Sequence, residues 1–196
     1  MDNFRLKFTN FLFDTLTEYD YVLLKFIEHS VFDVAESSDL DILIRQGNLK
    51  KILGQLKMFK GISAWKESRK SSMIQLFIYF EDGKFLQVDL LYKFIRTNLI
   101  YLDEETIIKG KVKTHEGIFT TCQSHLFEHV ILFNFLNFAR LSPKYIRYFS
   151  EKSADEQSDL LDYFNEKYKT NIQNIQQLEK FDKLVREKIY KKTLHL

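Results

Sequence analysis

Apolar and polar positions recur along this chain with two different periods. Phe4, Phe8, Phe11, Leu12 and Leu16 fall near helical spacing, which predicts a helix over residues 4–19. Residues 21–27 (YVLLKFI) form a short apolar run rich in β-branched and aromatic side chains, the pattern of a buried strand. After a loop over 29–38, the stretch SDLDILIR alternates. Leu40, Ile42 and Ile44 share one face of a strand, while Asp39 and Asp41 share the other with Leu43. Helical spacing returns at Leu49, Ile52, Leu53 and Leu56, behind Asn48 as an N-cap, and should persist to about Gly61. Residues 73–80 and 84–91 flank Glu81-Asp82-Gly83, a hairpin signal, and 62–66 reads as a further strand of the same sheet. On the second hairpin arm Leu86, Val88 and Leu90 point one way, and Phe85, Gln87 and Asp89 the other.

Residues 95–121 carry a mixed pattern, with short strand-like pieces around Ile107 and Ile118. From Thr121 onward the spacing is helical. Residues 124–140 are apolar nearly all round, which predicts a buried helix. Pro143 suits the first turn of the next helix, and Ser153 with Glu156 forms a capping-box pattern. Ile172, Ile175, Leu178, Phe181, Val185 and Ile189 make one stripe of a last helix. The expected fold is α/β (α+β), a small mixed sheet with flanking helices over residues 1–120, followed by a helical region over 121–196.

Composition narrows the classes. With 45% hydrophobic residues and nineteen Phe in 196 positions, the chain can bury a core, which excludes global disorder. Lys plus Arg is 29 and Asp plus Glu is 27, a net charge of 29 − 27 = +2. That balance lacks the concentrated basic excess of proteins that hold long nucleic acids. One cysteine, Cys122, forms no intramolecular disulfide, which fits a reducing compartment. The N-terminal residues lack the apolar core of a signal peptide, and the densest apolar stretch, 126–141, is broken by Glu128, Asn134, Asn137 and Arg140. The expectation is a cytoplasmic protein without membrane segments. The aromatic C-terminal helices could support a homodimer, although an internal core gives the same pattern.

The chemistry sits in three aspartates. Asp39 and Asp41 share a strand face, and Asp89 lies on a later strand; if those strands pair, three carboxylates converge. Such a cluster is costly unless cations neutralise it, and Mg²⁺ or Mn²⁺ accept hard oxygen ligands while keeping positions open for phosphate. Two such ions would stabilise both the attacking and the leaving oxygen of an in-line displacement.

Ser38-Asp39-Leu40-Asp41-Ile42-Leu43-Ile44 and Gln87-Val88-Asp89-Leu90-Leu91 resemble the nucleotidyltransferase superfamily with the DNA-polymerase-β-like fold. The resemblance covers residues 20–95 and is strongest to uncharacterised bacterial nucleotidyltransferases, in which an apolar strand ending in a basic residue, here Leu23-Leu24-Lys25, precedes the Asp-x-Asp. It implies that Asp39 and Asp41 hold the two metal ions carrying a nucleoside triphosphate, and that Asp89 shares a metal and activates an acceptor hydroxyl. It implies an acceptor of unknown identity read by the helical region. For the triphosphate, Ser37 or Ser38 can supply a hydroxyl and Lys25 a phosphate-facing charge, the equal alternative for Lys25 being a snorkelling or salt-bridged side chain. The family's usual glycine turn is replaced by Lys25-Phe26-Ile27 and Val34-Ala35-Glu36-Ser37-Ser38. That departure implies the alternative of a catalytically degenerate scaffold kept for binding or regulation.

Two further patterns read more plainly. His125-Leu-Phe-Glu-His129 matches an inverted zinc-peptidase motif, but on an all-apolar helix its imidazoles are expected to pack or to cap hydrogen bonds. Cys122 is expected to be a structural thiol, and Lys50, Lys51, Lys57 and Lys60 the solvated face of their helix.

Overall fold

The computed structural model describes residues 3–27, 30–33, 35, 38–96, 99–137, 140–179 and 187. In chain order these form α1 (Phe4–Leu16), β1 (Tyr21–Leu23), β2 (Leu40–Ile44), α2 (Leu49–Leu56), β3 (Ile62–Arg69), β4 (Met73–Phe80) and β5 (Phe85–Leu91). There follow β6 (Phe94–Arg96), β7 (Leu99–Leu102), α3 (Glu104–Lys109), β8 (Lys111–Lys113), β9 (Phe119–Thr121), α4 (Gln123–Leu136), α5 (Pro143–Ser150) and α6 (Ala154–Tyr168). They divide into two compact units, one within residues 1–93 and 104–121, the other within 94–103 and 122–196.

The first unit is a mixed α/β body on a seven-stranded sheet of order β3-β4-β5-β2-β1-β9-β8. β1 runs antiparallel to β2, β2 parallel to β5, and β3, β4 and β5 form an antiparallel meander. Alternation decides what each strand buries. Leu40, Ile42 and Ile44 join Ile74, Leu76, Ile78, Leu86, Val88 and Leu90 in one core with Phe8, Leu12 and Leu16 of α1 and Ile52 and Leu56 of α2. Burying each such side chain favours folding by about 1.5–3 kcal/mol. The opposite faces of β2 and β5 are therefore left to Asp39, Asp41 and Asp89.

Gly61 at the entry to β3 has φ +102°, and a Cβ there would meet the Phe4 ring at 2.4 Å, so both turn and packing require glycine.

In the second unit β6 and β7 pair as a short antiparallel hairpin. The helices pack through aromatic edges: Phe127 of α4 meets Phe149 of α5 at 4.9 Å and Phe164 of α6 at 5.8 Å between ring centroids. Ser153 and Glu156 form the expected capping box at the start of α6.

Four expectations change. The strand over 21–27 ends at Leu23, because Leu24 N–H donates to the Asp41 carbonyl at 2.8 Å and Lys25 then turns left-handed, φ +54°. α2 stops at Leu56, and Asn48 makes no side-chain cap because a 3₁₀ turn over Gln46–Asn48 leads in with helical backbone. Ile107 lies in a helix, not a strand. Glu104 and Glu105 in its first turn and Lys109 in its last complement the helix dipole, while Ile107 and Ile108 are buried. The last stripe is not one helix either, since α6 ends at left-handed Lys169. Asn165 Oδ1 then accepts from Thr170 Oγ1 and Ile172 N, and Ile175–Glu179 is a 3₁₀ helix. Phe181, Val185 and Ile189 lie outside the described residues. Among the described residues no helix is long and apolar enough to cross a membrane.

Candidate functional site

The site is built by register. β2 and β5 are parallel neighbours with Asp41 opposite Asp89, and β4 sets Gln75 opposite Asp89 from the other side. Directly opposed residues share a face, so Gln75, Asp89 and Asp41 form a row across three strands. Asp39 lies two residues before Asp41, on the same side. The result is one carboxylate oxygen from each of Asp39, Asp41 and Asp89, all within 4.8 Å of one another. Asp89 is buried at 5% exposure, Asp41 is largely buried, and Asp39 is exposed.

Each buried carboxylate has an internal partner. Gln75 Nε2 donates to Asp89 Oδ2 at 3.1 Å and to Oδ1 at 3.3 Å, and Gln87 Nε2 donates to Oδ1 at 2.9 Å. Lys25 Nζ lies 2.6 Å from Asp41 Oδ2. Burial pushes the Asp41 carboxyl above the usual range; the Lys25 ammonium opposes that rise, and Asp39 and Asp89 add to it. Lys25 reaches Asp41 from the left-handed backbone directly after β1, a conformation that costs a side-chain-bearing residue about 1–2 kcal/mol. Lys25 thus adopts a left-handed backbone conformation of the kind glycine takes without cost.

Of the other expected contacts, Ser38 is half-buried and its N–H donates to the Ala35 carbonyl at 2.9 Å, while Ser37 lies outside the described residues. The donor set suits a hard divalent cation, being all carboxylate oxygen. The Lys25 ammonium already stands as an internal cation against one of those oxygens.

Among the described residues the inverted zinc-peptidase motif does not assemble a metal centre. Glu128 is fully buried and accepts from Tyr163 Oη at 2.7 Å and from Tyr168 Oη, with Lys167 Nζ 2.7 Å from its Oε1. Burial, reinforced by that carboxylate, pushes both phenols well above their usual range. The His129 ring packs among Phe94, Tyr101 and Phe133. No group of three acidic, thiol or imidazole side chains other than the aspartates comes together among the described residues. Burial works against the Cys122 thiolate, but His125 hydrogen-bonds to it and lowers its pKa below the ordinary thiol value.

Two polar residues escaped the sequence pattern. Gln75 was detectable as a lone polar side chain in phase with Asp89 across the hairpin. Glu128 sits in a run with no polar stripe to mark a direction, so nothing in the spacing tied it to α6.

No family model matches the chain, and no curated protein sequence matches it. Among solved structures, a crystal structure of a protein from H. pylori assigned as a nucleotidyltransferase is similar, at 13% identity and a TM-score of 0.45, over 99% of this chain and 93% of that one. The polymerase core of TRAMP, an RNA surveillance complex, is similar at 13% identity and a TM-score of 0.30, over 86% of this chain and 58% of that one.

Proposed function

We propose that this chain is a metal-dependent nucleotidyltransferase, moving a nucleoside monophosphate from a nucleoside triphosphate to a hydroxyl-bearing acceptor and releasing pyrophosphate. The observation that supports it best is the meeting of Asp39, Asp41 and Asp89 within 4.8 Å on one sheet face. Three carboxylates so close, two of them shielded from water, are tolerated where cations belong. Asp39 and Asp41 would hold Mg²⁺ or Mn²⁺ together with Asp89. The ions supply Lewis acidity at the phosphoryl oxygens and shield charge building on the leaving pyrophosphate.

The chain's own residues do the rest. Asp89, held by Gln75 and Gln87, takes the proton of the acceptor hydroxyl as that oxygen bonds the α-phosphorus and the bond to pyrophosphate breaks. Lys25 and Ser38 would contact the triphosphate, and the same role expected of Ser37 falls outside the described residues. The chemistry belongs to residues 1–120 in this reading. The acceptor is a small molecule, a sugar or a protein hydroxyl, since the net charge of +2 gives no footprint for a long nucleic acid.

The test is calorimetric titration of the four ribonucleoside triphosphates with Mg²⁺ on the wild type and on Asp41→Asn. Metal-dependent binding that the substitution removes supports the transferase. Metal-independent binding, or none, favours a degenerate scaffold retained for binding or regulation.

A further inference from the structure

If the three aspartates are a metal site, as proposed, the Lys25–Asp41 contact bears on which ligand that site accepts. Lys25 Nζ is 2.6 Å from Asp41 Oδ2, with the lysine side chain 18% exposed and the aspartate 11%. Asp41 is one of the three carboxylates whose oxygens lie within 4.8 Å of one another. A divalent cation bound by Asp41 and the ammonium therefore meet at the same carboxylate. Like charges that close, and that poorly hydrated, repel strongly. The lysine is also held on a short leash. It leaves β1 in a left-handed conformation, φ +54°, immediately after the Leu24 N–H bond to the Asp41 carbonyl, so its backbone is tied to the strand carrying its partner.

We propose that Lys25 makes the acidic site select a divalent cation that arrives on a polyphosphate over the bare cation. A bare cation at Asp41 competes with a largely buried ammonium for the same carboxylate and brings no anionic group for it. A cation carrying a polyphosphate brings phosphate oxygens that the same ammonium can pair with. The cost of displacing Lys25 is thereby recovered only when both components enter together. In thermodynamic terms Lys25 couples the two ligands, and the coupling is reciprocal. It would keep the site from filling with free cation and place the lysine on phosphate only when the donor is present.

The experiment measures Mn²⁺ binding to the full chain by electron paramagnetic resonance, first with Mn²⁺ alone and then with Mn²⁺–tripolyphosphate. Four proteins are compared: wild type, Lys25→Met, Lys25→Gly and Asp41→Asn. Lys25→Gly removes the ammonium and relaxes the left-handed backbone, so it guards against a variant that simply fails to fold. Both lysine variants should bind bare Mn²⁺ about tenfold more tightly than the wild type and bind the tripolyphosphate complex about tenfold more weakly. Opposite signs are the signature. A lysine that only touches phosphate leaves the bare-ion affinity unchanged, and a lysine that only supports the fold weakens both; either result overturns the proposal. Asp41→Asn separates this from the metal-site reading. If the wild type binds Mn²⁺ and Asp41→Asn does not, flat bare-ion affinities in the lysine variants sink the selectivity alone. If neither the wild type nor Lys25→Gly binds Mn²⁺, the metal-site reading falls and the selectivity with it.

Discussion

At the scale of single residues, the site depends on polar neighbours of the carboxylates as well as on the carboxylates themselves. Gln75 and Gln87 together place three hydrogen bonds on the Asp89 carboxylate, and a carboxylate offers about four lone-pair directions. Those bonds fix the orientation of Asp89. Replacing either glutamine by leucine, close in volume but without a donor, should weaken Mn²⁺ affinity by about 10–100-fold with no loss of folded protein. Calorimetry beside a thermal melt checks both halves. A different residue governs behaviour in acid. Lys57 Nζ, 2.6 Å from Glu67, holds that carboxyl at about 2 against an ordinary 4.5; burial opposes the shift, and Arg69 and Trp65 add hydrogen bonds. A depressed value means that the stabilisation is complete above pH 4.5 and is lost as the pH falls towards 2. Urea melts of wild type and Glu67→Gln should therefore differ most at neutral pH and converge only below about pH 2; a constant difference would refute this. Asp39, Asp41 and Asp89 could be found from alternation alone because a half-buried strand advertises its outward residues. Lys25 could be read as a phosphate contact or as a salt-bridged lysine, but its partner, Asp41, was not legible, because the pairing depends on a left-handed turn that its residue type argues against.

At the scale of elements, legibility followed punctuation. α1, β2, β4 and β5 were readable since each carries a clean period bounded by a turn signal, Asp82-Gly83 above all. α3 was not, because six residues are too few for a helical stripe to register, and its evidence lay in end charges. α4 was readable as a buried helix without its direction: apolar on every side, it gave no cue to which neighbour Glu128 serves. That residue ties α4 to α6 through Tyr163, Tyr168 and Lys167. Glu128→Ala should destabilise the fold by about 3–5 kcal/mol, since a buried polar cluster loses its centre. Tyr168→Phe should cost about 1.5–3 kcal/mol, the range for a hydrogen bond to a charged group. Denaturant unfolding measures both, and a Glu128→Ala cost below that of Tyr168→Phe would argue against the carboxylate as the hub.

At the scale of the whole molecule, sequence spacing suggests one cut near residue 121, whereas the chain leaves its first compact unit twice. The β6–β7 hairpin departs at residue 94 and belongs to the helical unit, where Phe94 and Tyr101 lie against His129 with Phe94 1% and Tyr101 2% exposed. A chain ending at Thr121 keeps that hairpin but lacks the helix that covers it. It should bind a hydrophobic dye and self-associate, while the same chain with 94–103 replaced by a Gly/Ser linker should do neither. Dye fluorescence and sedimentation give the answer, and equal behaviour of the two would count against the division.

The hairpin's detour also sets a timetable for synthesis. The sheet is complete only once β9 has emerged, because β1 pairs with β9 across nearly a hundred residues. Phe94 and Tyr101 are made well before the helix that shelters them, and at ribosomal speed the wait for α4 lasts seconds. During that interval the aromatic hairpin lacks the helix that buries it, and its two strands must wait for α4 before Phe94 and Tyr101 are covered.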